Sequence, residues 1–194
     1  MNFNKTIILE DDSVLLRPLT PADEEAFAGI AFDYSIWKYT RALVMNKVEL
    51  KSYITLALEE KQREIRYPFT IIDKMSGEIA GSTSYANVSD KDKRIEIGWT
   101  WLGKKFQGTG LNSRCKYLLM QYAFKHLKFE RVEFKTDVLN TAARKALLKI
   151  GAIEEGVLRS HTLMQDARRR DTIYYSVLAG EWDSVKKSFF NTIK

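Results

Sequence analysis

Cysteine is almost absent: one residue in 194, Cys115. That excludes an internal disulfide and any cysteine-based metal cluster. Histidine is nearly as scarce, and His126 and His161 stand far apart without metal-ligand spacing; no metal site is expected. No run of 18 apolar residues occurs, so no membrane span is expected. The opening M-N-F-N-K-T-I-I-L-E-D-D has neither the apolar core nor the small-residue cleavage site of a signal peptide. A cytoplasmic protein is the expectation. No long repeat and no flexible linker interrupts the chain, so residues 1–194 are expected to form a single domain.

What is present suits a packed enzyme-sized domain. Hydrophobic residues make up 45% and aromatics 12%, enough for a real core and too much for disorder. The formal charge of +6 favours anionic partners. Basic residues gather at Lys91–Arg94, Lys104–Lys105, Arg168–Arg170 and Lys186–Lys187. These clusters are short, scattered and mixed with acids, unlike a stripe that tracks a phosphate backbone. They read first as solvated surface, with a weak ribosome or RNA contact as the alternative.

Residues 13–19 read as a strand stopped by Pro18, and T-P-A-D at 20–23 has the chemistry of a helix start. The helix carries Phe27, Ile30 and Ala31 inward. Residues 34–44 are irregular and aromatic, with Tyr34, Trp37 and Tyr39 available to line a site. Asn46 followed by Glu49 is a capping-box variant opening a helix over 47–64, with Leu50, Tyr53, Ile54 and Leu58 on one side. Strands at 67–73 and 78–88 form a hairpin. In a third strand, 94–102, strict alternation puts Ile95, Ile97, Trp99 and Trp101 on one face and Glu96 and Gly98 on the other. A helix over about 110–127 follows, burying Leu111, Cys115, Leu118, Leu119 and Tyr122. The strand at 131–137 comes after a crossover helix and should lie parallel to 94–102. Asn140 caps a helix with Ala143, Ala146, Leu147 and Ile150 inward, ended by Gly151. Strands at 152–164 and 172–178 flank a turn, and residues 181–190 form a short last helix. The order is that of an α/β (α+β mixed-sheet) domain.

The stretch W-T-W-L-G-K-K-F-Q-G-T-G-L-N-S-R-C-K, residues 99–116, runs from strand through a glycine turn into a helix. Such a turn leaves backbone N–H groups without intrachain partners at the positive end of the helix dipole. That is an anion site suited to a pyrophosphate, with Lys104 and Lys105 adding charge; an ordinary strand-to-helix turn is the competing reading.

This order and the turn around Gly108 and Gly110 resemble the GCN5-related N-acetyltransferase (GNAT) superfamily, more narrowly its RimJ/RimL-type branch. The likeness is carried by L-L-R-P-L-T-P, E-I-G-W-T-W-L, Q-G-T-G-L-N, F-K-T-D-V-L-N-T-A-A-R-K, K-I-G-A-I-E-E-G-V-L-R and R-D-T-I-Y-Y-S-V-L in the expected succession. The resemblance implies the GNAT fold: a twisted mixed sheet, helices on both faces, splayed between the fourth and fifth expected strands (94–102 and 131–137). It implies acetyl-coenzyme A (acetyl-CoA) as cosubstrate and an amine acceptor, either a peptide N-terminus or a small amine. The loop of Lys105, Phe106, Gln107, Gly108, Thr109 and Gly110, with Leu111 and Asn112 at the helix start, is the implied pyrophosphate grip. Lys105 stands where the family has Arg or Gln. Trp101 and Leu102 are implied to bond pantetheine through their backbone, and Asn140 and Arg144 to face the cofactor. A homodimer is implied by family likeness alone. A non-catalytic CoA- or ribosome-binding module of the same fold is the alternative function.

Acetyl transfer needs a neutral amine, a polarised carbonyl and a proton for the thiolate. Glu96 is the leading candidate for the base; a surface carboxylate paired with a cross-strand cation is its competing reading. Backbone N–H near Trp101 would meet the oxyanion. Several relatives in this branch have a serine where Ala143 stands, which leaves Tyr174 or Tyr175, a water, or an unassisted thiolate. Cys115, on the apolar side of its helix, is read as core. Direct attack in a ternary complex is expected.

Overall fold

Alternating apolar runs become strands, and those with helical spacing become helices. In the computed structural model, which describes residues 1–191, the chain forms β1 (Leu9–Glu10), β2 (Val14–Pro18), α1 (Glu24–Ala31), α2 (Tyr34–Trp37) and α3 (Lys47–Gln62). It continues through β3 (Arg66–Asp73), β4 (Glu78–Ser89), β5 (Arg94–Leu102), α4 (Leu111–Lys125) and β6 (Arg131–Asp137). The last elements are α5 (Thr141–Leu148), β7 (Ile153–Leu163), β8 (Arg169–Leu178) and α6 (Trp182–Phe189). The strands make one eight-stranded sheet in the order β1-β2-β3-β4-β5-β6-β8-β7. β5 and β6 pair in parallel, as expected of a helical crossover, and the other neighbours are antiparallel. Two elements go beyond the sequence reading: β1, too short to show a period, and α2, a single turn capped by Asp33 within the aromatic segment.

One core lies between the sheet and α4, α5 and α6, and includes Ile95, Ile97, Leu119, Phe134, Leu147 and Trp182. A second, smaller core lies under α1, α2 and α3 on the opposite face. The start of α1 is tied to the sheet by Asp23. Its carboxylate accepts from Arg17 Nη1 at 2.9 Å, Thr70 Oγ1 at 2.7 Å and the Thr20 N–H at 2.9 Å. Burial alone would raise the Asp23 carboxyl; these donors and the Arg17 charge outweigh it and hold it below the usual carboxylate range.

The feature that positions the site is an extra residue in β5. Ser84 pairs with Gly98 but Ser82 pairs with Trp101, so Trp99 and Thr100 together oppose Thr83. This is a β-bulge, and Trp99 sits in the left-handed region at φ +49°. Two consequences follow. The alternation reverses, which corrects the strict pattern expected for 94–102: Trp101 lies on the face of Glu96, not of Ile95 and Ile97. There its ring packs 5.0 Å from Phe27 and 5.2 Å from Trp37, and its Nε1 donates to the Tyr53 hydroxyl at 3.1 Å. The second consequence is that β5 leaves β6. The pair is in register only at Arg94↔Arg131, Ile95↔Val132 and Glu96↔Glu133, while β5 stays bonded to β4 as far as Leu102.

Gly81 permits this geometry. A Cβ at Gly81 would lie 2.1 Å from the Trp101 carbonyl oxygen, a backbone atom that cannot step aside. Gly81→Ala is therefore expected to destabilise the protein by about 2–3 kcal/mol, the cost of overpacking a rigid site. In contrast, a Cβ at Gly29 in α1 meets nothing within 4 Å, and Gly29→Ala should stabilise by about 0.5–1 kcal/mol. Urea unfolding of the two variants checks both signs.

Candidate active site

The parting of β5 from β6 opens a cavity of about 590 Å³. On the α1–α3 face it is lined by Trp37, Tyr39, Arg41, Tyr53 and Trp99. On the α4–α5 face it is lined by Asn112, Lys116, Phe134, Asn140, Ala143 and Leu147. Of the aromatic segment's candidates, Trp37 and Tyr39 reach the cavity, while Tyr34 is exposed.

At the end of β5 the chain makes a 3-10 turn, Lys104–Phe106, then two left-handed glycines, Gly108 (φ +77°) and Gly110 (φ +91°), before α4 begins. The Phe106 side chain anchors the turn in the core. Thr109 Oγ1 donates to the Phe106 carbonyl at 2.9 Å, which folds the loop back on itself. Among the described residues, no acceptor takes the N–H of Gly108, Thr109 or Gly110. Three donors thus stand at the positive end of a 15-residue helix.

Two details differ from the sequence reading and one adds to it. Lys105 Nζ is held at 2.7 Å by both oxygens of Glu78, so its charge is matched locally. The Leu102 carbonyl accepts from Gln107 Nε2 at 3.0 Å, which ties the loop back to the end of β5 and leaves one lone pair of that oxygen. Arg144 turns inward: its Nε donates to the Tyr175 hydroxyl at 3.2 Å and its Nη2 lies 3.5 Å from Glu154, leaving the cavity to Asn140. Asn140 caps α5 by accepting from the Ala143 N–H at 3.0 Å and lines the cavity as well.

Glu96 is buried, not a surface carboxylate, although it has the cross-strand cation of the competing reading. Its Oε2 accepts from Asn87 Nδ2 at 2.6 Å and from Lys135 Nζ at 2.7 Å. Burial pulls the Lys135 pKa down, but attraction to Glu96, its hydrogen bond, and the nearby Tyr174 and Glu133 together hold it above the ordinary lysine value. Glu96 Oε1 faces Gly98, where a Cβ would approach it to 2.9 Å. Gly98 therefore keeps one carboxylate oxygen open toward the cavity. Neither tyrosine lines the cavity. Tyr174 lies beside Lys135, whose Nζ is 5.0 Å from its ring centre. The Tyr175 hydroxyl donates to Glu154 at 2.9 Å and is buried under α5, with burial raising its pKa. Of the alternatives left open for the leaving-group proton, the two tyrosines are thus the ones that do not line the cavity.

The sequence reading missed Lys116. It is 5% exposed, lines the cavity, and lies on α4 one turn after Asn112, whose Oδ1 is buried without a partner among the described residues. Lys116 Nζ donates to Thr100 Oγ1 at 2.6 Å, next to the bulge, and no carboxylate pairs with it among the described residues. Burial pushes its pKa down to about 8. A signal existed: Asn112 and Lys116 form an i, i+4 polar pair beside the apolar stripe of α4. Cys115 next to it is core as expected, its thiol pushed up to about 12 by burial.

Comparison with known proteins gives this geometry a family. The Acetyltransferase (GNAT) domain profile matches residues 13–153. YdaF of Bacillus subtilis (strain 168), named as an inferred ribosomal N-acetyltransferase, is 34% identical over 110 residues, 57% of this chain and 59% of that protein. The ribosomal-protein-serine acetyltransferase of Escherichia coli (strain K12) is 27% identical over 101 residues, 52% of this chain and 56% of that one. The matches thus span less than two thirds of either relative. A GCN5-related N-acetyltransferase structure from Brucella melitensis superposes with a TM-score of 0.90 over 98% of this chain and 86% of the other; at 24% identity it speaks for the fold alone. With the profile covering most of the chain, the protein belongs to the GNAT acetyltransferase family.

Proposed function

We propose that this protein is an acetyl-CoA-dependent N-acetyltransferase that acetylates a primary amine by direct attack in a ternary complex. The observation that supports it is the set of unpartnered N–H groups at Gly108, Thr109 and Gly110, in the loop that joins two residues lining the cavity, Trp101 and Asn112, although the loop itself does not line it. Backbone donors at a helix mouth suit a pyrophosphate, and the cavity suits an extended arm. When bound, acetyl-CoA supplies an activated thioester whose C–S bond is exchanged for a C–N bond at the amine. The chain's residues do the rest. Glu96 Oε1 accepts a proton from the incoming ammonium, either directly or through one water, while Asn87 and Lys135 hold the other oxygen still. Lys116 Nζ keeps a titratable proton on the opposite side of the slot, beside Thr100, where a leaving thiolate of pKa ~8.5 needs one. Trp37, Tyr53 and Trp101 exclude water from the acceptor side.

Proton chemistry favours an α-amine as acceptor. With a pKa near 8, about a tenth of it is already neutral at pH 7, against roughly one lysine amine in two thousand. A peptide N-terminus also agrees with the names of the ribosomal relatives.

Titration calorimetry with acetyl-CoA is expected to show binding with one site per chain and a raised melting temperature; absence of both would remove the proposal. With a reactive peptide acceptor, Glu96→Gln should lower kcat/KM by about 100-fold near pH 7, less so as pH passes the amine's own pKa. An unchanged pH–rate profile would withdraw Glu96 as the base.

Lys116 gives a separate prediction. A lysine whose pKa is lower in the folded than in the unfolded chain costs stability in full below about pH 8, and the cost fades as pH rises toward ~10.4. The handicap is on the order of 3 kcal/mol at neutral pH. Lys116→Met should raise the melting temperature at pH 7, with the gain shrinking between pH 8 and 10, while turnover falls. A lower melting temperature at pH 7 would show that the ammonium is not an uncompensated buried charge.

A further inference from the structure

The charges lining the cavity do not balance. Five cations (Arg41, Arg66, Lys116, Lys135 and Arg170) face two carboxylates, Glu60 and Glu96. Arg66 is matched by Glu60 at 2.5 Å and Lys135 by Glu96 at 2.7 Å. Lys116 belongs to the α4 side of the slot. That leaves Arg41 and Arg170. Among the described residues neither has a carboxylate partner; Arg170 makes one hydrogen bond, from Nε to Thr172 Oγ1 at 3.0 Å, and Arg41 makes none. The nearby Asp137 does not serve them, because Arg168 already holds it at 2.5 Å.

Arg41 and Arg170 line the same cavity, and like charges there disfavour one another. Burial is the first cause of a lowered Arg170 pKa, and the charges of Arg41 and Arg168 push the same way, while Asp137 and Glu96 oppose. Arg170 thus feels both Arg41 and Glu96, on the side of the cavity where the amine must arrive. Two cations without carboxylate partners lining one cavity are favourably placed around an anion.

Resting on the acetyltransferase reading, we infer that Arg41 and Arg170 form a carboxylate-binding subsite, so the acceptor is an amine that carries an acidic group close to its nitrogen. The carboxylate sits between the two guanidinium groups while the amine reaches Glu96. An acidic residue at the first or second position of a peptide N-terminus meets this description. A polyamine or a lysine-rich segment does not, because the same two arginines repel it.

The test uses C-terminally amidated peptides, so that the only carboxylate is the one in question: Asp-Ala-Ala against Asn-Ala-Ala, and Ala-Glu-Ala against Ala-Gln-Ala. Affinity for the CoA-saturated protein is measured by calorimetry, and kcat/KM by thiol release from acetyl-CoA. At least one acidic peptide should be favoured by tenfold or more over its amide twin, through KM and not kcat, with the preference shrinking as salt rises. In Arg170→Gln and in Arg41→Gln the acidic-to-neutral ratio should fall toward one. Arg41 is exposed, so its variant is a safe second reading should Arg170→Gln fail to fold. Equal binding of both twins, or a ratio that both variants leave unchanged, overturns the subsite while leaving the acetyltransferase reading intact. Failure of the protein to bind acetyl-CoA at all instead removes the parent reading.

Discussion

The site depends on one strand being one residue too long for its neighbour. By adding Trp99–Thr100 opposite Thr83, β5 keeps its bonds to β4 and gives up its bonds to β6. An unpaired edge inside a sheet is normally costly, since its N–H and C=O groups lose partners in a buried place. Here the edge faces a cavity of about 590 Å³, large enough to hold a ligand that can supply those partners. The same bulge turns Trp101 to the α1–α3 face, where it becomes the centre of the second core. One local irregularity therefore opens the slot, stiffens its acceptor wall and places Glu96 and Thr100 on opposite sides of it.

The slot keeps charge where a structure optimised only for stability would not. Lys116 is buried without a carboxylate among the described residues, and the half-buried Arg170 and the exposed Arg41 line the same cavity without one. Lys116 and Arg170 cost folding free energy, because a buried cation loses hydration without a counterion. The other buried ions are matched: Asp23 with Arg17, Glu96 with Lys135, Asp137 with Arg168. Among the described residues, Lys116 and Arg170, the unmatched ones, both line the cavity. Strain or charge imbalance confined to one cleft is the pattern of a binding site whose ligand completes it.

Much of this was legible in the sequence because it follows from periods and turn chemistry. The parallel crossover into 131–137, the Asn46 and Asn140 caps and the positive-φ glycines of the loop need only local rules. What escaped was non-local. Nothing in W-T-W announces a bulge; strict alternation is the default, and the extra residue shows only in the register against β4. Arg144 and Lys105 look free in sequence, and are held by Glu154, Tyr175 and Glu78 from elsewhere in the fold. Arg168–Arg170 read as solvated surface; the structure divides it, with Arg168 on Asp137, Arg169 on Ser160 and Arg170 in the cavity. A cluster's composition says how much charge there is, not which of its members face inward.

The electrostatics of the acceptor side bear directly on the chemistry. Under the proposed reading, an ammonium near Arg41, Arg170 and Lys135 would be disfavoured relative to its neutral form, with Glu96 acting the other way. The same field keeps a simple ammonium from entering, since almost all of it is charged in bulk water. A cationic cleft can therefore activate an amine only if something else brings the amine in. A carboxylate on the acceptor does both: it is drawn to the arginines, and once seated it leaves the amine next to Glu96 with Lys135 close behind. Binding energy gained at the acid holds the amine in place equally before and during reaction, so it raises kcat/KM through a lower KM.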